Sequence, residues 1–238
     1  MRMAPHFVYG HVHPRENYSA GQWLRDVREL AEAGTFRDHI PVFVGGTGLY
    51  FKALLGGLSA MPDIPSGISE RWRRALAEDG PQELHRVLRE VDGDAALKLK
   101  PADGQRIVRA LEVMEASGRS ILSWQAQASE ALVDPENAEM ILLDPERKSL
   151  VERVERRFDG MMEEGAVSEV EALLALGLDP ALPAMKAIGM REIAAALDGR
   201  LEMEEAIGRA KAATRQYAKR QGTWFRHQMG PRWQRRSA

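Results

Sequence analysis

The chain has 238 residues, 44% of them hydrophobic and 29% charged, enough for one large or two small domains with a real core. No apolar run approaches the roughly 20 residues of a membrane span, and the N-terminal stretch carries no signal-peptide h-region, so a cytoplasmic protein is expected. The lack of cysteine excludes disulfides, thiolate catalysis and Cys-based zinc sites. The net charge of −2 hides a gradient: residues 206–238 hold nine of the 33 Lys and Arg and none of the 35 Asp and Glu, which suits a polyanionic partner or is simply solvated surface.

Residues 5–13 read as a loop and a short strand. His11 and His13 would share a strand face there, a conceivable metal pair without a third ligand nearby. An amphipathic helix is predicted from Gln22 to Ala33, with Trp23, Val27, Leu30 and Ala31 facing inward. Ile40 to Val44 is short, β-branched and apolar on both faces, the pattern of a strand buried in a parallel sheet. Gly45, Gly46 and Thr47 then turn the chain into a helix over 48–57. Two readings of this turn stand side by side. In one, the glycines let backbone approach a phosphate while the free N–H groups of the helix start attract it; in the other, it is an ordinary strand-to-helix turn. A strand at 40–44 needs neighbours on both sides, and residues 1–39 supply at most one short strand, so the sheet is expected to be incomplete at the N-terminus.

Pro62 and Pro65 break the chain, and the pattern becomes helical at 69–79, 82–91, 103–117 and 120–127, punctuated by Gly80-Pro81, Gly93 and Gly118. The expected organisation is an α/β core from 1–61 and 131–238 with a helical insertion at 62–130. In the insertion Asp103 can cap a helix that exposes Gln105, Arg106 and Arg109 and turns Ile107, Val108, Leu111 and Met114 inward. Residues 139–143 return to a strand pattern. Asp144 as cap and Pro145 at the first helical position then start a helix over 146–164. Its arginines, Arg147, Arg153, Arg156 and Arg157, form either a second phosphate site or a surface balanced by Glu146, Glu152 and Glu155. Helices are predicted at 166–176, 184–198 and about 202–228. In the last, Ala210, Ala213, Tyr217 and Trp224 line up as core, while Arg215 with Lys219 and Gln216 with Arg220 form a basic ridge suited to phosphates or a folded RNA.

The sequence contains no Walker A pattern, nucleophile elbow, metal-binding His/Glu pattern or Gly-x-Gly-x-x-Gly fingerprint. Five stretches in order do match something: VGGTGLYFKALLGGLSAMP, DGQRIVRALEV, DPERKSLVERVERRFDGM, AMKAIGMRE and ATRQYAKRQGTWFR. Over His6 to Arg226 the chain resembles the tRNA dimethylallyltransferases, also called tRNA isopentenyltransferases. The resemblance implies a P-loop NTPase-like parallel-sheet core with an all-helical insertion and a helical C-terminal region. It also implies transfer of a dimethylallyl group from dimethylallyl diphosphate to N6 of the adenosine 3′ to the anticodon, assisted by Mg²⁺, in a monomeric enzyme.

Residue by residue, Thr47 resembles the family residue beside the reacting adenosine. Gly45, Gly46, Arg153 and Arg157 become the candidates for diphosphate. Gln105, Arg106, Ile107, Val108 and Arg109 match one tRNA-contacting motif, and Arg215, Gln216, Tyr217, Ala218, Lys219 and Arg220 match the second. An adenine in the anticodon loop must leave its stack to be modified, which calls for both an RNA grip and a phosphate site. Two departures stand out. The family's opening P-loop-like segment, and the Asp that serves as its general base, have no counterpart here, which leads to the expectation of tRNA binding with little or no transfer. An arginine expected after the Leu-x-x-x-Pro turn is Ser69, with Arg71 nearby as a substitute. Two other functions fit parts of the pattern: a non-catalytic RNA-binding remnant, and a small-molecule adenylate prenyltransferase or phosphotransferase.

Overall fold

In a computed structural model that describes residues 4–59, 61–127 and 130–237, the chain is a mostly helical α/β protein with one small parallel sheet. Its contacts divide it into two compact units, Met1–Phe51 with Asp134–Ala238, and Lys52–Val133.

The first unit begins with α1 (Ala20–Glu32), which opens on a capping box. The Gln22 N–H donates to Ser19 Oγ at 3.2 Å and the Gln22 side chain accepts from the Ser19 N–H at 2.8 Å, so two orphan donors are satisfied at once. Val27 is buried, and Trp23 stacks on Tyr50 with 4.6 Å between ring centroids. The expected strand at 40–44 is absent. Those residues run without a ladder partner among the described residues, and a strand exists only through pairing. Ile40, Val42 and Val44 lie open, while Phe43 packs edge-on against Trp23 and Phe36. The helix after the glycines is α2 (Gly48–Leu54), shorter than expected.

The sheet lies elsewhere. β1 (Ile141–Leu143) pairs in parallel with β2 (Gln234–Arg236), with Ile141 opposite Gln234, so the basic tail forms a strand that periodicity did not reveal. Ion pairs accompany this register: Arg235 pairs with Asp144 at 3.2 Å and Arg236 with Glu139 at 2.8 Å, and just before the strand Arg232 pairs with Glu136. Asp144 therefore does not cap the next helix. Its carboxylate faces Arg235 and its N–H donates to the Arg236 carbonyl, and α7 (Arg147–Glu163) starts from Glu146.

Then come α8 (Ala166–Ala175), a single turn at Ala184–Lys186, α9 (Met190–Leu197) and α10 (Met203–Gln228). The helix expected over 184–198 is interrupted because Gly189 takes φ 95°, a left-handed conformation natural to glycine, and lies against the Phe158 ring. Val170, Met190 and Ile193 form a small core with Met162, Leu173 and Met203. Ala206 and Ala210 are fully buried, which lets α10 approach its neighbours closely.

The second unit is all-helical. α3 (Ser66–Val91) is kinked at Gly80, whose φ of 81° followed by Pro81 breaks the hydrogen-bond ladder where the sequence predicts. α4 (Gly93–Lys98), not foreseen, uses Asp92 as its cap. α5 (Gly104–Ser117) is capped by Asp103 and stopped by Gly118 at φ 65°, and α6 (Ile121–Gln125) follows. Leu84, Leu88, Ile107, Leu111 and Val113 are all but inaccessible to solvent and make the core of this unit. Arg71 is not free to replace the arginine expected near Ser69. Its guanidinium is paired with Glu115, which also accepts from Trp72 Nε1 at 2.8 Å.

Candidate functional site

The Gly45-Gly46-Thr47 loop is held from behind by α10. Gln221 Nε2 donates to the Gly46 carbonyl at 2.7 Å, and Gly48 lies so close to the Trp224 ring that a Cβ there would overlap it. Trp224, predicted as core, is half-buried because it forms the wall on which α2 begins. Thr47 is exposed, and its hydroxyl is uncommitted among the described residues. The loop borders a cavity of about 820 Å³ within the first unit whose lining includes Tyr18, Trp23, Phe43, Thr47 and Tyr50.

On α10 the site residues separate into two sets. Arg215 is drawn to Glu155 of α7 at 2.7 Å, alongside a Lys211–Asp159 pair at 2.5 Å, so it fastens two helices together. Ala218 is half-buried. Gln216, Lys219 and Arg220 stay exposed and, with Thr223 and His227, line an open groove of about 710 Å³. Tyr217 is not core: it is on the surface with the Arg220 guanidinium 5.6 Å from its ring centroid. Helical spacing put it in line with Ala210, but the distal half of α10 packs through Gln221 and Trp224 against the glycine loop, which leaves Tyr217 outside.

Arg153 and Arg157 are exposed on α7 and enter no ion pair among the described residues. The expected charge balance on this helix is redirected, since Glu155 serves Arg215. In the second unit Gln105 and Arg106 are exposed at the start of α5, with Arg106 3.3 Å from the capping Asp103. Ile107 and Val108 are buried in the core, which removes their side chains from any ligand surface. Arg109 is held at 3.3 Å by Glu112, a carboxylate only 7% exposed.

Several relevant side chains escaped the sequence reading. Gln221 acts across 175 residues of chain, and Glu112 sits at a helical position that periodicity assigns to the interior. The imidazoles of the suggested metal pair have separate uses: His11 Nε2 lies 2.9 Å from Asp26 Oδ2, and His13 Nδ1 accepts from the Arg15 N–H. Tyr18 also donates to Asp26. That bond, with His11 beside it, holds the Asp26 carboxyl below the usual carboxylate range; burial, then the Asp26 bond, pushes the Tyr18 hydroxyl well above the ordinary tyrosine value.

Residues 1–228 match the family model described as IPP transferase. The chain is 60% identical over 231 residues to a tRNA dimethylallyltransferase of Mesorhizobium japonicum, covering 97% of this chain and 72% of the relative. It is 58% identical to one from Chelativorans sp., covering 98% and 80%. Among solved structures it resembles the full-length tRNA isopentenylpyrophosphate transferase of Bacillus halodurans, with a TM-score of 0.63 and 30% identity over 99% of this chain and 72% of that one. It also resembles a eukaryotic dimethylallyltransferase described as acting on tRNA, with a TM-score of 0.70 and 26% identity over 90% of this chain and 54% of that one. The chain belongs to the IPP transferase family, that of the tRNA dimethylallyltransferases.

Proposed function

We propose that this chain transfers a dimethylallyl group from dimethylallyl diphosphate to N6 of the adenosine 3′ to the anticodon of a tRNA, working as a cytoplasmic monomer. The observation that carries this reading is the clamp of α10 on the glycine loop: the helix whose Lys219 and Arg220 face solvent also holds Gly46 through Gln221. RNA phosphates lying along α10 would thus sit beside Thr47.

In the reaction the N6 nitrogen attacks C1 of the allyl group, the C1–O bond breaks, and diphosphate leaves with the bonding electron pair and takes up the proton that N6 gives up. Thr47 accepts a hydrogen bond from the amine and aims it; such a bond contributes on the order of 1 kcal/mol, and a hydroxyl is no base at neutral pH. Gly45, Gly46, Arg153 and Arg157 are assigned to the diphosphate, in a P-loop-like core, and the two arginines, which enter no ion pair among the described residues, are cations suited to it. Gln105, Arg106 and Arg109 of the helical unit, and Gln216, Lys219 and Arg220, are assigned to the RNA backbone. Mg²⁺ would enter as the counter-ion of the diphosphate: no three carboxylates or imidazoles gather among the described residues, so an ion there would be held mainly by phosphate oxygens and water, and no step is routed through it.

The test is mass spectrometry of tRNA from cells with and without the gene. Loss of the dimethylallyl unit from the adenosine 3′ to the anticodon is expected in the deletion. Unchanged tRNA, together with binding of an anticodon stem-loop by the purified chain, would replace this reading with that of a non-catalytic RNA-binding protein.

A further inference from the structure

Gln221 lies outside both stretches matched to RNA contact, and its side-chain amide is spent on the Gly46 carbonyl at 2.7 Å. A Cβ at Gly46 would meet that amide, and two residues on a Cβ at Gly48 would overlap the Trp224 ring. The two residues flanking Thr47 are therefore both seated on α10, by a donor and by a ring three residues apart on one side of the helix. Lys219, Arg220, Thr223 and His227 of the same helix line the open groove. One rigid element thus carries the phosphate grip and the backrest of the reaction loop.

We propose that Gln221 is a positioning residue: it acts through Gly46 to fix Thr47 relative to RNA held on α10, so that RNA binding on the helix is transmitted to the loop. This rests on the proposed function, but its mechanical half stands apart from it. Gln221 contributes no phosphate contact, and removing its donor should loosen the loop without weakening the grip.

The experiment compares the whole chain with Gln221→Met, which keeps length and bulk but cannot donate, by hydrogen exchange of the Tyr50 amide, which donates to the Thr47 carbonyl at 3.0 Å, with and without an anticodon stem-loop. Anisotropy supplies the affinity, and Arg220→Ala serves as a contrast. In Gln221→Met exchange at Tyr50 should rise about fivefold, the effect of one lost hydrogen bond. The melting temperature should fall by no more than a few degrees, and RNA affinity should stay as in the wild type. RNA should slow exchange both in α10 and at Tyr50 of the wild type, but only in α10 of Gln221→Met. Unchanged exchange at Tyr50 would overturn the proposal, as would a loss of affinity like that of Arg220→Ala, which would make Gln221 an RNA contact. If the wild type binds no RNA, the functional reading fails, while the basal exchange difference still judges the Gln221 grip.

Discussion

Replacing Lys219 and Arg220 together by alanine isolates the part of α10 that is open to RNA. Both side chains are exposed, in contrast to Arg215, which Glu155 holds at 2.7 Å. Each phosphate neutralised by a cation releases counterions and contributes about 0.7 to 0.9 to the slope of log affinity against log salt, so the double variant should lose about 1.4 to 1.8. Between about 50 and 200 mM salt, the drop in affinity should consequently be about 7- to 12-fold smaller than in the wild type. Fluorescence anisotropy with a labelled anticodon stem-loop over a salt series reads the slope directly. Arg215→Ala is the control: its ion pair joins two partly exposed groups, so the stability lost is at most about 1 kcal/mol, and its slope should change less than that of either single variant. A wild-type slope in the double variant would show that this groove is solvated surface and that RNA, if bound, lies elsewhere.

Three further outcomes follow from contacts in the two units. Gly48→Ala must push its new methyl into the Trp224 ring, so chemical denaturation should show a loss of about 1–3 kcal/mol from overpacking; a gain would mean the loop is not seated on that ring. Leu88→Ala, at a side chain with no exposed surface, should cost about 2–5 kcal/mol in the unfolding of the helical unit, and a loss below 1 kcal/mol would place Leu88 outside the core. Tyr18 should stay un-ionised as pH rises through the ordinary tyrosine range near 10. Its folded pKa lies above its unfolded one, so its stabilising effect is complete below that range and fades only at higher pH. Phenolate absorbance should therefore show one of the four tyrosines titrating late, and Asp26→Asn should bring it earlier; simultaneous titration of all four would refute the Tyr18–Asp26 bond.

Features carried by neighbouring residues could be read from the chain alone. The Asp103 cap, the break at Gly80-Pro81, the stop at Gly118 and the inward faces around Val27, Ile107 and Leu111 depend on backbone conformation and helical period, which act over a few residues. The ordered motifs likewise sufficed for the family, because they are sequence by definition. Pairing was another matter. Residues 40–44 have the composition of a buried strand but no ladder among the described residues, whereas the polar, basic Gln234–Arg236 pairs with β1, with two carboxylates meeting its arginines. The availability of the arginines was also decided in three dimensions. Arg71 went to Glu115 and Arg215 to Glu155, while Lys219 and Arg220 stayed exposed and enter no ion pair among the described residues. Nor could any local pattern announce that Gln221 would reach Gly46 across 175 residues, since a hydrogen bond of that span exists only once the chain has folded and brought donor and acceptor together.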